Sequence, residues 1–186
     1  MVPVMSLAIP IVVSAVIVFV ASSIIHMVLP YHRTDLRKPP KEDELLEALR
    51  RLNLPPGDYA APHAGSPAGM KQPEFIEKMK KGPIVFMTIA PGSPPSMATN
   101  LVLWFFYSVV VSFFAAYIAG RAVGPGADYR TVFRFVGSTA FMGYSLALLQ
   151  NSIWYKRNWS MTLKSMFDGL VYGLLTAGTF GWLWPR

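Results

Sequence analysis

The residues best suited to chemistry lie in the last apolar stretch of the chain, residues 162–184. Asp168, Tyr172 and Thr176 recur there at four-residue spacing, which places them on one side of an α-helix. A carboxylate inside a membrane helix is costly in lipid, so this polar line predicts a proton or cation site. The alternative is structural, because the dipole favours an acid near the beginning of a helix and Lys164 precedes Asp168 by one turn. The spacing alone favours the structural interpretation.

Small residues form a second line along the same stretch. Gly169, Gly173 and Ala177 follow one another at four-residue spacing, and Gly181 extends the line. Lipid provides no hydrophobic force between helices, and small residues let two helix backbones approach closely. We therefore expect this line to be a helix-packing face.

The chain has three histidines, His26, His32 and His63. His26 and His32 lie at and just after the end of the first apolar run, and imidazole nitrogens are common ligands of copper, zinc and haem iron. Their spacing matches no metal-binding signature, and a bis-histidine haem needs a second histidine inside the bundle. His26 and His32 are therefore weak metal candidates, and we predict no cofactor.

The composition argues against several functional classes. None of the 186 residues is cysteine, which removes disulfides, thiolate metal sites and cysteine nucleophiles. The motifs of phosphate-binding loops, serine hydrolases and zinc proteases are also missing. The net charge of +7 is typical of a membrane protein with basic loops that contact anionic lipid, and it comes with no nucleic-acid-binding module. We predict a non-enzymatic protein that does not bind nucleic acid.

Four apolar runs are long enough to cross a bilayer. They give the expected fold class, an all-α membrane protein with four transmembrane helices. The first run lacks the positively charged start of a signal peptide, and it is longer than the apolar region of a signal peptide. We therefore expect it to be retained as a helix. The predicted spans cover residues 4–29, 98–123, 131–155 and 162–184.

Residues 30–97 differ from the spans, and we expect an extramembrane segment with α+β-like structure between the first two. Residues 41–53 carry acidic side chains in their first turn and arginines in their last, which favours a helix because these charges complement its dipole. Their leucines form one stripe. A second helix is expected at 73–81, and residues 84–90 are expected to pair as a strand with residues 59–63. The segment is short for an independent core, so we expect it to rest on the membrane or on a partner.

The distribution of basic residues predicts an orientation. Lysines and arginines close to the span ends are more numerous beside residues 30–97 and 156–161 than on the other side. The positive-inside rule then places the long segment in the cytoplasm and both termini outside.

The closing segment, Trp159 to Pro185, reads W-S-x-T-L-K-x-x-F-D-G-L-V-Y-G-L before its final aromatic anchor. With the run Phe141 to Tyr144 and the loop sequence Pro55 to Tyr59, it resembles small bacterial inner-membrane proteins with four spans. The resemblance implies a bacterial inner-membrane location and carries no activity with it.

Three functions are consistent with these patterns. The first is an accessory, assembly or scaffold component of a membrane complex, in contact with the bilayer and with other membrane subunits or copies of itself. The alternative is a small transporter or channel that uses Asp168. It would act as a homo-oligomer, because the four spans of one chain are few for a pore. The third is a metal- or haem-handling membrane protein that uses His26 and His32.

Overall fold

A computed structural model describes residues 1–93 and 96–186 of the protein. Its contacts divide the chain into two units, Met1–Leu36 with Ser96–Arg186, and the intervening segment that begins at Arg37. Most of the described residues are helical, and two short strands pair in one sheet. In chain order the elements are α1 (Ala8–Ser23), α2 (Glu42–Leu52), β1 (Gly57–Ala61), α3 (Pro73–Lys81), β2 (Val85–Ile89), α4 (Met97–Ala122), α5 (Tyr129–Ser145), α6 (Leu149–Ile153) and α7 (Trp159–Trp182).

The first unit is a helical bundle in which α1, α4, α5 and α7 form a ring. α1 packs against α4 and α7, α5 packs against the same two helices, and the contact between α5 and α7 is the most extensive. Polar side chains cap three of the bundle helices: Ser96 accepts a hydrogen bond from a backbone N–H of α4, Asp128 accepts two at the start of α5, and Asn158 accepts one at the start of α7. These caps satisfy N–H groups that have no partner within a helix.

The bundle interior combines apolar side chains such as Phe180 with many small and polar ones, and the outside is apolar. Ser14, Ser112 and Thr176 are fully buried, whereas Phe114 and Leu174 are about half exposed. A water-soluble bundle would carry polar side chains on its outer surface, so this apolar exterior suits a lipid environment. Among the described residues, three helical stretches are long and apolar enough to cross a membrane: Val4–Val28, Met97–Ala122 and Tyr129–Ile153.

The expectation of four such spans is corrected to three within the described residues. The run at 162–184 does form a helix, α7, but that helix is not apolar enough to be counted with the others. The reason lies in the residues that made the run notable, because Asp168, the glycines and the threonines all lower its hydropathy. Those residues lie on the buried side of α7.

The line of small residues on α7 faces α5. A Cβ atom on Gly169 would collide with the Ser145 hydroxyl, and one on Gly173 would lie 3.2 Å from the backbone nitrogen of Phe141. A Cβ atom on Gly181 would lie 2.7 Å from the ring of Tyr129. Glycine thus allows the two backbones to approach each other closely.

The second unit contains α2, α3 and a two-stranded antiparallel sheet. β1 pairs with β2 so that Gly57 lies opposite Ile89, which confirms that the two segments pair, although the first strand begins two residues before the predicted 59–63; both predicted helices are present. No residue of the described range 37–93 is buried. On the leucine stripe of α2, Leu45 is 45% exposed and Leu52 63% exposed.

Candidate metal centre

Two irregular turns at the end of α1 bring two histidines together. A π-helical turn, Ile24–Val28, carries His26, and a 3-10 turn, Pro30–His32, follows it. The two imidazole rings stack with their centroids 4.4 Å apart and their planes 6° from parallel. π-Helical turns are rare and occur often at functional sites.

His32 lies between two carboxylates. Its Nδ1 is 2.6 Å from Oδ2 of Asp35, and its Nε2 is 2.8 Å from Oδ2 of Asp168 on α7. The side chains of both acids are largely buried, at 8% and 4% exposure. Each edge of the ring therefore faces an acceptor.

Lys164, one turn before Asp168, fixes the turn that carries His32. Its ammonium group donates to Oδ1 of Asp35 at 2.7 Å and to the backbone oxygen of Tyr31 at 2.9 Å. Burial raises the pKa of Asp35, but the hydrogen bonds from Lys164 and His32 outweigh burial and leave the pKa below its ordinary value. Asp35 is therefore a carboxylate at neutral pH.

The hydrogen bond made by His26 defines which of its nitrogens is free. Nδ1 lies 3.0 Å from the backbone oxygen of Ser22. A carbonyl oxygen can only accept, so Nδ1 carries the hydrogen and donates it. In the neutral imidazole, Nε2 then has a free lone pair. The Ser22 hydroxyl in turn accepts from Nε1 of Trp104 at 2.7 Å, which links this turn to α4.

Together, His26, His32 and Asp168 form a potential ligand set. One ligand atom from each lies within 4.8 Å of those of the other two. Two imidazole nitrogens with one carboxylate oxygen is a combination that binds zinc or non-haem iron. Both histidines also present Nδ1 to an acceptor, the outer arrangement that orients metal-bound histidines. A tetrahedral ion would hold its ligand atoms about 3.3 Å apart, so His32 and Asp168 would separate by about 0.5 Å on binding.

The structure brings together some of the predicted site residues and not others. Asp168 and Lys164 join His26 and His32 in the cluster. Tyr172 lies one turn further along α7, with its ring against Trp104, and Thr176 donates to the backbone oxygen of Tyr172.

Asp35 is the participant that the sequence analysis missed. Its position three residues after His32 was a visible signal, because residues at that spacing meet in a turn.

Comparison with models of protein families, with curated proteins and with solved structures found no match. The resemblance to small bacterial four-span proteins therefore stays a prediction.

Proposed function

We propose that this protein binds one divalent transition-metal ion through His26, His32 and Asp168, where α1 ends and α7 passes. The observation that supports the proposal best is the hydrogen bonding of the two histidines. Asp35 and the backbone oxygen of Ser22 accept from their Nδ1 atoms, which leaves both Nε2 atoms to serve as ligands, that of His32 already directed at the Asp168 carboxylate. This proposal replaces the expectation that no metal is bound.

The charge of the cluster suits a dication. Asp35 and Asp168 carry two negative charges when ionised, and Lys164 carries one positive charge, so neutral histidines leave an excess negative charge. His26 is exposed and Asp168 is buried, which gives an ion a way in from the His26 side. Three protein ligands leave a fourth tetrahedral position for water or a small molecule.

Metal titration of the purified full chain tests the proposal. We expect one Zn²⁺ per chain by isothermal titration calorimetry, and a d–d absorption spectrum when Co²⁺ replaces it. His26→Ala and His32→Ala should each weaken binding at least about 100-fold, since each removes a direct ligand. His63→Ala is the matched control, because His63 lies in the other unit and is not in the cluster.

Two results would contradict the metal proposal. One is the absence of saturable binding of Zn²⁺, Co²⁺ and Fe²⁺ to the wild-type chain. The other is an equal loss of affinity in the His63 and His26 variants, which would mean that the metal binds non-specifically to exposed imidazole.

We also propose that α7 is a fourth crossing of the bacterial inner membrane. It has 24 residues, long enough for the hydrocarbon core of about 30 Å. Its outer side is apolar, with Leu163 and Phe167 more than half exposed, while Asp168, Tyr172 and Thr176 are buried. With four crossings, the positive-inside rule places residues 30–97 in the cytoplasm.

The second candidate function is that of an accessory or assembly component. The leucine stripe of α2 supports it, because no other element among the described residues packs extensively on that helix. Purification in mild detergent from the native host and native mass spectrometry would test it. A heteromeric mass supports the role, whereas a mass equal to that of the chain or its multiples counts against it.

The transport alternative has one supporting observation. Tyr172 buries a phenol hydroxyl that has no hydrogen-bond partner among the described residues, and it lies on α7 between Asp168 and Thr176. Ion or proton flux into proteoliposomes should be lost in Asp168→Asn if this line conducts. Unchanged flux in that variant would remove the alternative.

A further inference from the structure

A groove lies on the outer surface between α5 and α7. It has a volume of about 280 Å³, and the glycines Gly137 and Gly173 form part of its lining, where the two helices approach each other. The remaining lining is mainly apolar, with one arginine and one serine. The apolar side chains are Phe133, Phe141, Leu170 and Leu174, and the polar ones are Arg134 and Ser138.

The arginine in this groove has no close partner. Arg134 is exposed and makes no hydrogen bond or ion pair with any residue in the described part of the chain. The acid that its charge influences is Asp128, whose carboxylate already accepts from the backbone and hydroxyl of Thr131. An unpaired guanidinium within a membrane helix is costly, and phosphate oxygens are its best partner in geometry and charge.

The polar and apolar ends of the groove are arranged along the helices in the order that a lipid headgroup and its acyl chain require. Arg134 lies near the start of α5, and Phe141 lies about 10 Å further along the helix at 1.5 Å per residue. α7 runs antiparallel to α5, since Gly181 near the end of α7 meets Tyr129 at the start of α5. Leu174 therefore lies nearer the membrane surface than Leu170. The cationic end of the groove is thus at the membrane surface and the apolar end is deeper.

We propose that this groove binds one anionic phospholipid, with its phosphate at Arg134 and an acyl chain along the apolar walls. A zwitterionic lipid would leave its own cation beside the arginine, so the net negative charge of the headgroup is part of the recognition. The site shares no residue with the metal cluster, and its occupancy is independent of the metal.

Native mass spectrometry of the full chain tests the lipid site. The protein is purified in mild detergent, stripped of lipid, and titrated with phosphatidylglycerol or phosphatidylcholine of identical acyl chains. We expect one phosphatidylglycerol per chain, bound about tenfold more tightly than phosphatidylcholine, because the choline cation offsets the attraction between the phosphate and Arg134. Arg134→Gln should remove this preference.

Arg121→Gln is the matched control, because Arg121 ends α4, lies over the ring of Tyr117 and does not line the groove. Ser138→Phe is a second variant that fills the groove and keeps the charge; it should weaken the binding of phosphatidylglycerol about tenfold.

Three results would overturn the proposal. They are equal affinity for the two lipids in the wild type, binding by Ser138→Phe that matches the wild type, and a dimer mass that forms without lipid and is lost in Ser138→Phe. The last would mean that a second copy covers the groove. If Arg134→Gln fails to fold, the wild type and Ser138→Phe still decide between these outcomes.

Discussion

Among single residues, Asp35 has the clearest positioning role. It does not belong to the proposed ligand set, yet it accepts from Nδ1 of His32 and pairs with Lys164 on α7. An ionised acceptor at Nδ1 fixes the orientation of the ring and makes Nε2 a stronger ligand. His32 thus depends on a residue three positions away for both its direction and its basicity.

We predict that Asp35→Asn raises the dissociation constant for Zn²⁺ by about 10- to 100-fold and keeps the stoichiometry at one per chain. The amide can still accept from His32, but it loses the charge. Calorimetric titration measures both quantities.

The control for this change is Asp58→Asn. Asp58 also accepts a hydrogen bond from a side chain, the hydroxyl of Thr88, but it lies in the other unit. The affinity of the Asp58→Asn variant for Zn²⁺ should equal that of the wild type. A wild-type affinity in Asp35→Asn would show that the carboxylate has no part in orienting His32.

Asp128, the cap of α5, gives a prediction about pH. Its hydrogen bonds with Thr131 hold its pKa below the ordinary value. A lowered pKa in the folded state stabilises the protein above the unfolded value, near 3.9, and this contribution is lost as the pH falls through the folded pKa. We therefore expect the difference in Tm between the wild type and Asp128→Asn to shrink as the pH falls below about 4.

Thermal unfolding of both proteins in detergent, from pH 6 to pH 3, measures that difference. Asparagine also caps helices and does not titrate, so the comparison isolates the charge of Asp128. A difference that stays constant over the whole range would contradict the prediction.

Part of the site was predictable from the sequence. Asp168 stood out because one carboxylate in an apolar helix is a local signal, readable from helical spacing. Its contact with His32 is not local, since 136 positions separate the two residues. His26 and His32 are six positions apart, and they stack because a π-helical turn and a 3-10 turn follow each other there, which no spacing rule foresees.

Among the helices, the contact between α5 and α7 depends on glycine. Gly169 faces Tyr144 and Ser145, and a Cβ atom there would lie 3.0 Å from Cβ of Tyr144 and collide with the Ser145 hydroxyl. Ser145 is fully buried and donates to the backbone oxygen of Met166, so its hydroxyl cannot move without losing a partner. This position is more restrictive than the others on the line.

We predict that Gly169→Ala destabilises the bundle by about 1–3 kcal/mol, the usual cost of overpacking. Gly178→Ala is the control on the same helix, because its new Cβ would meet only the Tyr129 hydroxyl, at 3.6 Å, an ordinary contact. Alanine is the better helix former, so the control should be neutral or stabilising.

Thermal unfolding of the two variants in one detergent gives the comparison. Adding Ser145→Ala to Gly169→Ala should recover part of the loss, because it removes the colliding hydroxyl. Equal stability of the Gly169 and Gly178 variants would mean that α5 and α7 adapt to the added methyl group.

The helices themselves were predicted well where their end signals are local. α3 begins at the predicted Pro73 and ends at Lys81, before Gly82. α7 was predicted as a helix but misjudged as a fourth apolar span. The run was identified by its length and by its few charged residues. Its mean hydropathy is lower than that of the other spans, because α7 contains polar and small residues that it buries in the bundle.

In the whole molecule, the position of the two ends of α7 bears on the proposed fourth crossing. Its two ends have different neighbours in the bundle. Residues that follow α7 return to the connection between α4 and α5, where Gly126 donates to the backbone oxygen of Pro185 and Trp184 donates to that of Gly124. The start of α7 follows α6, at the other end of α5. A crossing α7 therefore places its two ends on opposite surfaces.

We predict that single cysteines at the two ends of α7 react from opposite sides of the membrane. The chain has no cysteine of its own, so Ser160→Cys and Arg186→Cys each give one label site without background. Both positions are exposed. In sealed vesicles of known orientation, an impermeant maleimide should modify only one of them, and permeabilisation should be required for the other. Modification of both from the same side would mean that α7 returns to the surface where it began, and the bundle would then cross the membrane three times.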